Sequence, residues 1–165
     1  MKIWYYGDQD GINTDMLFPG KYTYTCSTAE EVLPHLLEDL DPAFATGVKP
    51  GDLIFAGANF GCGSSREQPV LGLKAAGVAA VVAKGFARIF YRAAVNQGLI
   101  LIECPEAVEA YREGSTVTFN PDTGEITVDG AVFPFPTLPP EITAIREAGG
   151  LLAYTRKVLA EKNLL

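Results

Sequence analysis

The sequence predicts a mixed α/β fold in which a β-α-β-α-β core carries a β-hairpin shoulder. Two apolar segments bracket a helical segment, a third follows a second helix, and two later segments alternate apolar and polar residues. Near-continuous apolar strands are typical of a parallel sheet covered on both faces, whereas alternation is typical of antiparallel strands with one solvated face. We therefore expect a mixed sheet, and the length of 165 residues predicts one domain over 1–165.

The first third of the chain holds one strand and one helix start. Lys2–Tyr6 is the predicted strand, and the turn-forming residues 7–11 lead into a loop over 12–15 at one end of the sheet. Thr28–Glu31 has the pattern of a capping box and predicts a helix that Pro34 shortens or bends. The apolar residues of this helix are Val32, Leu36 and Leu37.

The middle third has the clearest pattern and predicts the β-α-β-α-β order. Its elements are a strand at Asp52–Ala56, a helix ending near Ala76, a strand at Val78–Ala83, a helix at Phe86–Gln97 and a strand at Leu99–Ile102. Gly98 ends the second helix, because glycine readily adopts the left-handed conformation that closes a helix.

The last third predicts an antiparallel hairpin and two helices. Thr116–Phe119 and Glu125–Asp129 alternate in period two around the turn formers of 120–124. A helix is predicted over Pro139–Gly149, and an amphipathic helix over Leu151–Lys162.

The composition argues against several classes of function. A net charge of −7 and a pI near 4.7 oppose a nucleic-acid surface, which would need a basic face. Acidic residues concentrate in 30–41 and 103–113 with helical spacing, as on solvated helix faces. No apolar run approaches the roughly 20 residues of a spanning helix, and the first residues are too few for a signal peptide. We expect a cytoplasmic protein without membrane contact.

Three cysteines, Cys26, Cys62 and Cys104, lie at wide and unequal spacings. This odd number favours neither a disulfide framework nor a paired Cys-x-x-Cys metal site, and it indicates a reducing compartment. Iron–sulfur sites usually take at least two ligands from one tight turn, a pattern that this sequence lacks. We therefore predict buried or incidental thiols and no metal site in this chain.

The most informative segment is Gly57–Pro69, between a buried strand and a helix start, and its residues 57–67 are called the glycine–serine turn. Gly61 and Gly63 allow the backbone to approach a ligand, the amides of a helix start favour an anion, and Arg66 can hold a carboxylate through two parallel hydrogen bonds. The segment lacks the third glycine of a dinucleotide fingerprint and the Gly-Lys-Ser/Thr of a P-loop. It predicts a carboxylate or phosphate site; the alternative is a tight turn capped by a serine.

Ser64 and Ser65 raise the question of a serine nucleophile or base, since a hydroxyl needs help to ionise. The one histidine, His35, lies on the predicted helix among surface-type residues, which argues against a serine–histidine–acid hydrolase. Activation would therefore be electrostatic, from backbone amides and Arg66.

Three motifs, in this order, resemble the swivelling-domain family of aconitase. They are NTDMLFPGKY at Asn13–Tyr22, GCGSSRE at Gly61–Glu67, and AKGFARIFYR at Ala83–Arg92 with NQGL at Asn96–Leu99. The resemblance runs from about Gly7 to the hairpin, and the length is similar to that of the stand-alone small subunits of 3-isopropylmalate dehydratase and homoaconitase. It implies a swivelling domain that closes over a large subunit carrying a [4Fe-4S] cluster, and no cofactor in this chain.

The resemblance also implies residue roles. Ser64 matches the serine that, as an alkoxide, takes the proton from the carbon next to the hydroxyl-bearing carbon. Ser65 and Arg66 match residues that hold a substrate carboxylate, and Thr14 and Asp15 fall in the pocket lining. The implied reaction is the reversible dehydration and rehydration of a small 2-hydroxy di- or tricarboxylic acid.

The loop that in this family meets the variable arm of the substrate contains Lys21, Thr23 and Tyr24. Residues 22–25 lack the arginine that relatives binding an extra carboxylate tend to carry, which favours an alkyl arm such as isopropyl. The implied enzyme is then a 3-isopropylmalate dehydratase of leucine biosynthesis. Homoaconitase or another alkylmalate dehydratase stays open, as does a non-catalytic anion-binding regulatory domain.

Two positions depart from the family pattern. Gly85 stands where serine is commoner, and Gln68 stands where many relatives have histidine. Neither departure removes a group assigned to proton transfer. For Lys84, Arg88 and Arg92 we expect structural roles, in which they neutralise sheet ends and contact helices.

Overall fold

A computed structural model describes residues 1–162 of the chain. Within that range the strands are β1 (Ile3–Tyr6), β2 (Leu53–Ala56), β3 (Ala80–Ala83), β4 (Ile100–Glu103), β5 (Val117–Asn120), β6 (Glu125–Val128) and β7 (Ala131–Pro134). The α-helices are α1 (Thr14–Leu17), α2 (Ala29–Val32), α3 (Phe44–Gly47), α4 (Gln68–Ala75), α5 (Arg88–Gln97), α6 (Pro105–Ala110), α7 (Pro140–Glu147) and α8 (Leu151–Glu161). Short 3-10 helices occupy Gly20–Tyr22 and Leu33–His35.

Strands β1 to β4 form a parallel sheet in that spatial order. Every residue of β2 and β3 is buried, as their continuous apolar sequences predict. The predicted β-α-β-α-β core is confirmed as β2-α4-β3-α5-β4, with β1 added beside β2. The predicted bounds of these elements agree with the observed ones to within two residues.

Alternate residues of the central strands face two different cores. One core lies against helices α4 and α5 and includes Ile54, Val81, Leu73 and Phe90. The other lies against α6 and the antiparallel strands and includes Phe55, Val82, Val108 and Ile126. The parallel sheet is thus covered on both faces, which explains why its strands need no polar side.

Strands β5, β6 and β7 form a separate antiparallel sheet. We expected one mixed sheet, but the hairpin packs Ile126 and Val128 face-on against the second core instead of pairing at the edge of β4. Strand β7 was not predicted, and it follows a turn at Asp129 and Gly130, with φ of 49° and 86°. An Asp-Gly pair with positive φ is a strong hairpin signal, so the sequence does contain the information for β7.

The helix predicted after Thr28 is shorter than expected. Its capping box is confirmed, because the Glu31 N–H donates to the Thr28 hydroxyl and the Thr28 N–H donates to the Glu31 carboxylate. Helix α2 then ends at Val32, and Pro34 lies in a 3-10 turn. Proline lacks an N–H and clashes with the preceding helical turn, so His35 lies on this 3-10 turn and not on a longer helix.

The two predicted C-terminal helices are confirmed as α7 and α8, joined at Gly149 and Gly150, which both have positive φ. Helix α8 lies on the surface: none of its residues is buried, and Leu152 is 66% exposed. No helix within residues 1–162 is both long enough and apolar enough to cross a membrane.

Candidate active site

The glycine–serine turn follows β2 at the carboxyl end of the parallel sheet, the end at which such sheets bind ligands. Parallel pairing continues beyond the strands through two isolated bridges, Asn13 with Cys62 and Phe60 with Phe86. These bridges place the segments that follow β1, β2 and β3 side by side. The three sequence motifs therefore converge at one end of the sheet.

Two glycines bring neighbouring elements close to this turn. Gly61 has a φ of 77°, and a Cβ at this position would lie 2.2 Å from Cγ of Phe90. Gly63 has a φ of 104°, and a Cβ there would lie 3.0 Å from Oγ1 of Thr14. Glycine at both positions lets α5 pack on one side of the turn and Thr14 on the other.

Residues 13–15 begin a one-turn helix where we expected a loop. The Asn13 side chain caps α1, because its oxygen accepts the N–H groups of Asp15 and Met16, each at 2.9 Å. The Thr14 N–H donates to the Cys62 carbonyl at 2.8 Å. Thr14 is consequently buried against the turn, and Asp15 stays exposed at its rim.

A hydrogen-bond network centred on Arg66 joins five of the predicted site residues. Nε of Arg66 donates to Ser64 Oγ at 2.8 Å, Nη1 to Thr23 Oγ1 at 3.0 Å, and Nη2 to Asp15 Oδ1 at 2.7 Å. Oγ1 of Thr14 lies 3.3 Å from Ser64 Oγ. The structure thus brings Ser64, Arg66, Thr14, Thr23 and Asp15 together.

This network orients the Arg66 guanidinium, whose side chain is only 11% exposed. We expected Arg66 to hold a carboxylate through two parallel hydrogen bonds. Three of its five N–H groups already have acceptors, and one N–H remains on each terminal nitrogen. The bond from Nε also stabilises negative charge on Ser64, because a cationic donor favours the ionised form of its acceptor.

Three other predicted residues lie outside the network. Ser65 is exposed and lines the cleft beside the turn. The Lys21 ammonium pairs with Glu38 at 2.7 Å, a contact that raises the pKa of Lys21. The Tyr24 side chain is 99% exposed. Lys21 and Tyr24 therefore do not reach Ser64 or Arg66 in this arrangement.

Gln68 holds the loop near Tyr24, although it was not predicted as a site residue. Its Nε2 donates to the carbonyls of Thr23 at 3.1 Å and Cys26 at 3.4 Å. Because Thr23 also accepts from Arg66, Gln68 fixes this loop against the glycine–serine turn. The sequence marks Gln68 only as a departure from the family pattern, and no local signal reveals a contact across 42 residues.

The turn and helix α5 form the two walls of an open cleft of about 340 Å³. The turn contributes Ser64, Ser65, Arg66 and Glu67. Helix α5 contributes Ile89, Arg92, Ala93 and Asn96, which are spaced as neighbours on one helix face. We expected Arg92 to neutralise a sheet end or contact a helix, but its exposed side chain lines the cleft. The helical spacing from Ile89 could have predicted this face.

The other two basic residues of this motif lie elsewhere. Lys84 follows β3, and its Nζ lies 3.4 Å from Glu109 Oε1, in agreement with the expected role at a sheet end. Arg88 is the first residue of α5 and is exposed. Among the three, Arg92 is therefore the residue that reaches the cleft.

His35 makes contacts of a structural kind. Its ring stacks on Tyr22 with centroids 3.8 Å apart, and Nδ1 lies 2.8 Å from Glu38 Oε2. Hydrogen bonds from Lys21 and then His35 lower the pKa of Glu38. These contacts support the prediction that His35 is not part of a serine–histidine–acid arrangement.

The cysteines are free thiols in three different surroundings. Cys26 is buried in one core, Cys104 is buried in the other, and Cys62 Sγ donates to the Gly11 carbonyl at 3.5 Å. Burial raises the pKa of Cys104. Within residues 1–162 no three His, Cys, Asp or Glu side chains converge as metal ligands, so this part of the chain does not offer a ligand set for an iron–sulfur cluster.

Proteins of similar sequence and fold are known. Residues 11–107, which include the turn, α1 and α5, match the family described as Aconitase C-terminal domain. The chain is 46% identical over 162 residues to the 3-isopropylmalate dehydratase small subunit of Heliobacterium modesticaldum, covering 97% of this chain and 96% of that protein. It is 45% identical over 163 residues to the isopropylmalate/citramalate isomerase small subunit of Methanocaldococcus jannaschii, covering 97% and 95%.

A solved structure is similar over nearly the whole chain. The crystal structure of 3-isopropylmalate dehydratase from Methanocaldococcus jannaschii aligns with a TM-score of 0.85 and 38% sequence identity. The alignment covers 98% of this chain and 96% of that one. The likeness therefore includes both sheets and the helices around the cleft.

Proposed function

The chain belongs to the aconitase C-terminal domain family, and from this premise we propose that it is the small subunit of a 3-isopropylmalate dehydratase. In this proposal residues 1–165 act as one swivelling domain of a two-subunit hydro-lyase in leucine biosynthesis. Relatives that match over nearly their whole length are small subunits by name, which supports a separate large subunit as partner. The reaction isomerises the substrate by dehydration and rehydration.

The observation that carries the proposal is the exposed Ser64 hydroxyl, which accepts a hydrogen bond from the Arg66 cation at 2.8 Å. A serine hydroxyl is a weak base unless its ionised form is stabilised. The Nε–H of Arg66 supplies that stabilisation at the wall of the cleft, without a histidine. Ionised Ser64 takes the proton from the carbon next to the hydroxyl-bearing carbon and returns it in the reverse direction.

The residues around Ser64 bind and orient the substrate. Arg66 keeps one N–H on each terminal nitrogen, and the exposed Ser65 hydroxyl lines the same cleft, so both can donate to a substrate carboxylate. Asp15 and Thr23 accept from the two terminal nitrogens and hold the guanidinium in one plane. The carboxylate and Ser64 therefore meet in a fixed relative position.

The departure of the hydroxyl is assigned to the large subunit. A [4Fe-4S] cluster there would supply a Lewis acid for the leaving hydroxyl. The residues of this chain supply the proton acceptor and the carboxylate contacts. Its three free thiols support a cytoplasmic location, because a reducing compartment keeps thiols unpaired.

The loop that contains Lys21, Thr23 and Tyr24 is proposed to contact an alkyl arm of the substrate. Residues 22–25 contain no arginine, and the nearby cation Lys21 is paired with Glu38. An additional carboxylate on the arm would therefore find no available cation in this loop. Homoaconitase and other alkylmalate dehydratases are the alternatives within the class, and the name of one relative includes citramalate, which has a smaller arm.

Reconstitution tests this function. The chain is co-expressed with the large subunit of the same organism, and turnover is measured with 3-isopropylmalate, citramalate and homocitrate, with the isolated chain as control. We expect activity only with both subunits and the highest kcat/KM for 3-isopropylmalate. A higher kcat/KM for homocitrate would contradict the alkyl-arm proposal. A stable complex without turnover of any of the three would favour a non-catalytic anion-binding domain.

A further inference from the structure

We propose that Arg92 forms a second carboxylate subsite, which binds the substrate carboxylate that Arg66 does not hold. The inference rests on the proposed function, since it takes the ligand to be a dicarboxylate. Arg92 lines the cleft from helix α5, whereas Arg66 and Ser64 line it from the glycine–serine turn. Cations on the two walls suit a ligand that carries an anionic group at each end.

The donors of Arg92 are available to a ligand. Its side chain is exposed and makes no hydrogen bond or ion pair with the residues of 1–162. Arg66, by contrast, already donates to three side-chain oxygens. All five N–H groups of the Arg92 guanidinium are therefore available as donors. Two of them, in the planar geometry of the guanidinium, can donate parallel hydrogen bonds to the two oxygens of a carboxylate.

The charges around the cleft also point to Arg92. Arg66 is paired with Asp15 at 2.7 Å, and Glu67 lines the same cleft. Without Arg92, the cleft lining within the described residues would present one cation, Arg66, and one carboxylate, Glu67, in a chain with a net charge of −7. Such a lining, with Arg66 already paired to Asp15 at its rim, would offer a dianionic substrate no net positive charge. Arg92 supplies a second cation on the wall opposite Arg66.

Helix α5 fixes Arg92 relative to the turn. The neighbouring residues Phe90 and Ala94 are buried, at 3% and 0% exposure, and Phe90 packs directly against Gly61. The backbone that carries Arg92 is therefore anchored by core packing. The separation of the two cations is set by this packing and not by a loose surface loop.

The test substitutes Arg92→Gln in the reconstituted enzyme, with Arg88→Gln as the matched control. Arg88 has the same charge, lies on the same helix and is exposed, but it does not line the cleft. We expect Arg92→Gln to raise KM for 3-isopropylmalate about 10- to 100-fold, because a charge-assisted hydrogen bond is lost. Arg88→Gln should leave KM within about twofold, and Arg92→Lys should recover part of the loss.

An inhibitor pair adds a readout that depends on the second carboxylate. In the wild type, 2-isopropylsuccinate should bind more tightly than its monocarboxylate counterpart 4-methylpentanoate. Arg92→Gln should remove most of this preference, measured as the ratio of the two inhibition constants. Unfolding temperatures of all variants check that neither substitution alters the fold.

Each other outcome counts against the subsite. Unchanged KM and inhibition ratio in Arg92→Gln, with an active wild type, overturn it and leave the proposed function standing. Analytical ultracentrifugation measures the association of Arg92→Gln with the large subunit. If this association is weaker but KM is normal at a saturating concentration of the small subunit, Arg92 is assigned to the subunit interface instead. Absence of turnover by the wild-type pair overturns the proposed function, and the subsite with it.

Discussion

The two ends of strand β2 each carry a charged side chain with three hydrogen-bond partners. Before the strand, Asp52 accepts from the N–H of Lys2 at 2.7 Å, the N–H of Lys49 at 3.0 Å and Nε1 of Trp4 at 3.2 Å. After the strand, Arg66 donates to three side-chain oxygens at the edge of an open cleft. Asp52 is buried and ties the backbone of three segments together, whereas Arg66 orients groups that face solvent.

The difference shows which end serves stability and which serves chemistry. Removing an acceptor that is buried leaves its donors without partners, at a cost of about 1–3 kcal/mol. At the cleft, water can replace a lost partner, so a substitution changes the position of reactive groups more than the free energy of unfolding. Substitutions at the two ends of β2 should therefore separate catalytic activity from the free energy of unfolding.

Ser64→Ala should give the largest change, and it should change only activity. It deletes the proposed base, so kcat of the reconstituted enzyme should fall at least about 100-fold. The free energy of unfolding should stay within about 0.5 kcal/mol, because the side chain is exposed. Ser65→Ala is the control, and it should act mainly on KM. A Ser64→Ala enzyme with more than about a tenth of wild-type turnover would contradict the base assignment.

Arg66→Lys should come next, with losses in both kinetic constants. An ammonium keeps the charge but does not reproduce the planar fork that reaches Ser64, Thr23 and Asp15 together. We expect kcat/KM to fall about 10- to 100-fold, which corresponds to the loss of one or two charge-assisted hydrogen bonds. Steady-state kinetics measure this effect. Near-wild-type constants would show that the network does not orient Ser64 or the substrate.

Asp52→Asn should reverse the pattern and change stability without changing activity. The amide places an NH2 group in a pocket of three donors, so we expect a loss of about 1–3 kcal/mol in the free energy of unfolding, measured with urea at pH 7. The folded fraction should keep the kcat and KM of the wild type. A fall in kcat of the folded enzyme would show that the two ends of β2 are coupled.

The same carboxylate predicts a pH dependence of stability. Burial by itself raises the pKa of Asp52, but hydrogen bonds from the Lys2 and Lys49 amides and the Trp4 indole outweigh it and lower this pKa below its ordinary value. A lowered pKa in the folded state contributes stability that is present above the unfolded pKa of about 4 and is lost as the pH falls through the folded value. The difference between wild type and Asp52→Asn should therefore be largest near neutral pH and shrink below about pH 4. A constant difference would contradict a charged Asp52.

The parts of the molecule that could be predicted are those set by local pattern. Continuous apolar segments were sufficient to predict strands β2, β3 and β4. The sequence motifs predicted Ser64, Arg66 and Asp15 as site residues, and the structure brings these three side chains together. The separate antiparallel sheet was not predicted. The alternation of apolar and polar residues predicts a hairpin, but it does not determine whether that hairpin pairs with the edge of the parallel sheet or packs on its face.

Two site features depend on contacts that no local pattern encodes. Gln68 reaches carbonyls more than 40 residues away, and Arg92 reaches the cleft because Gly61 lets Phe90 approach the turn. Periodicity places Arg92 on one face of α5 but does not say what that face meets. Packing between elements decides both positions, so only the folded chain reveals them.

Thr14→Val should have the smallest effect, and it tests whether the Thr14 hydroxyl helps Arg66 to stabilise the ionised form of Ser64. Thr14 is 2% exposed, and its Oγ1 lies 3.3 Å from Ser64 Oγ, so it can donate to the ionised serine beside Arg66. Valine keeps the shape and removes the O–H. Because the 3.3 Å separation makes this a long and weak hydrogen bond, we expect kcat to fall only about 3- to 10-fold. Because the ionised base is less stabilised, the acid limb of the kcat/KM profile should move to higher pH. Thr14→Ser should restore both, whereas an unshifted profile with normal kcat would mean that Thr14 only fills space beneath Gly63.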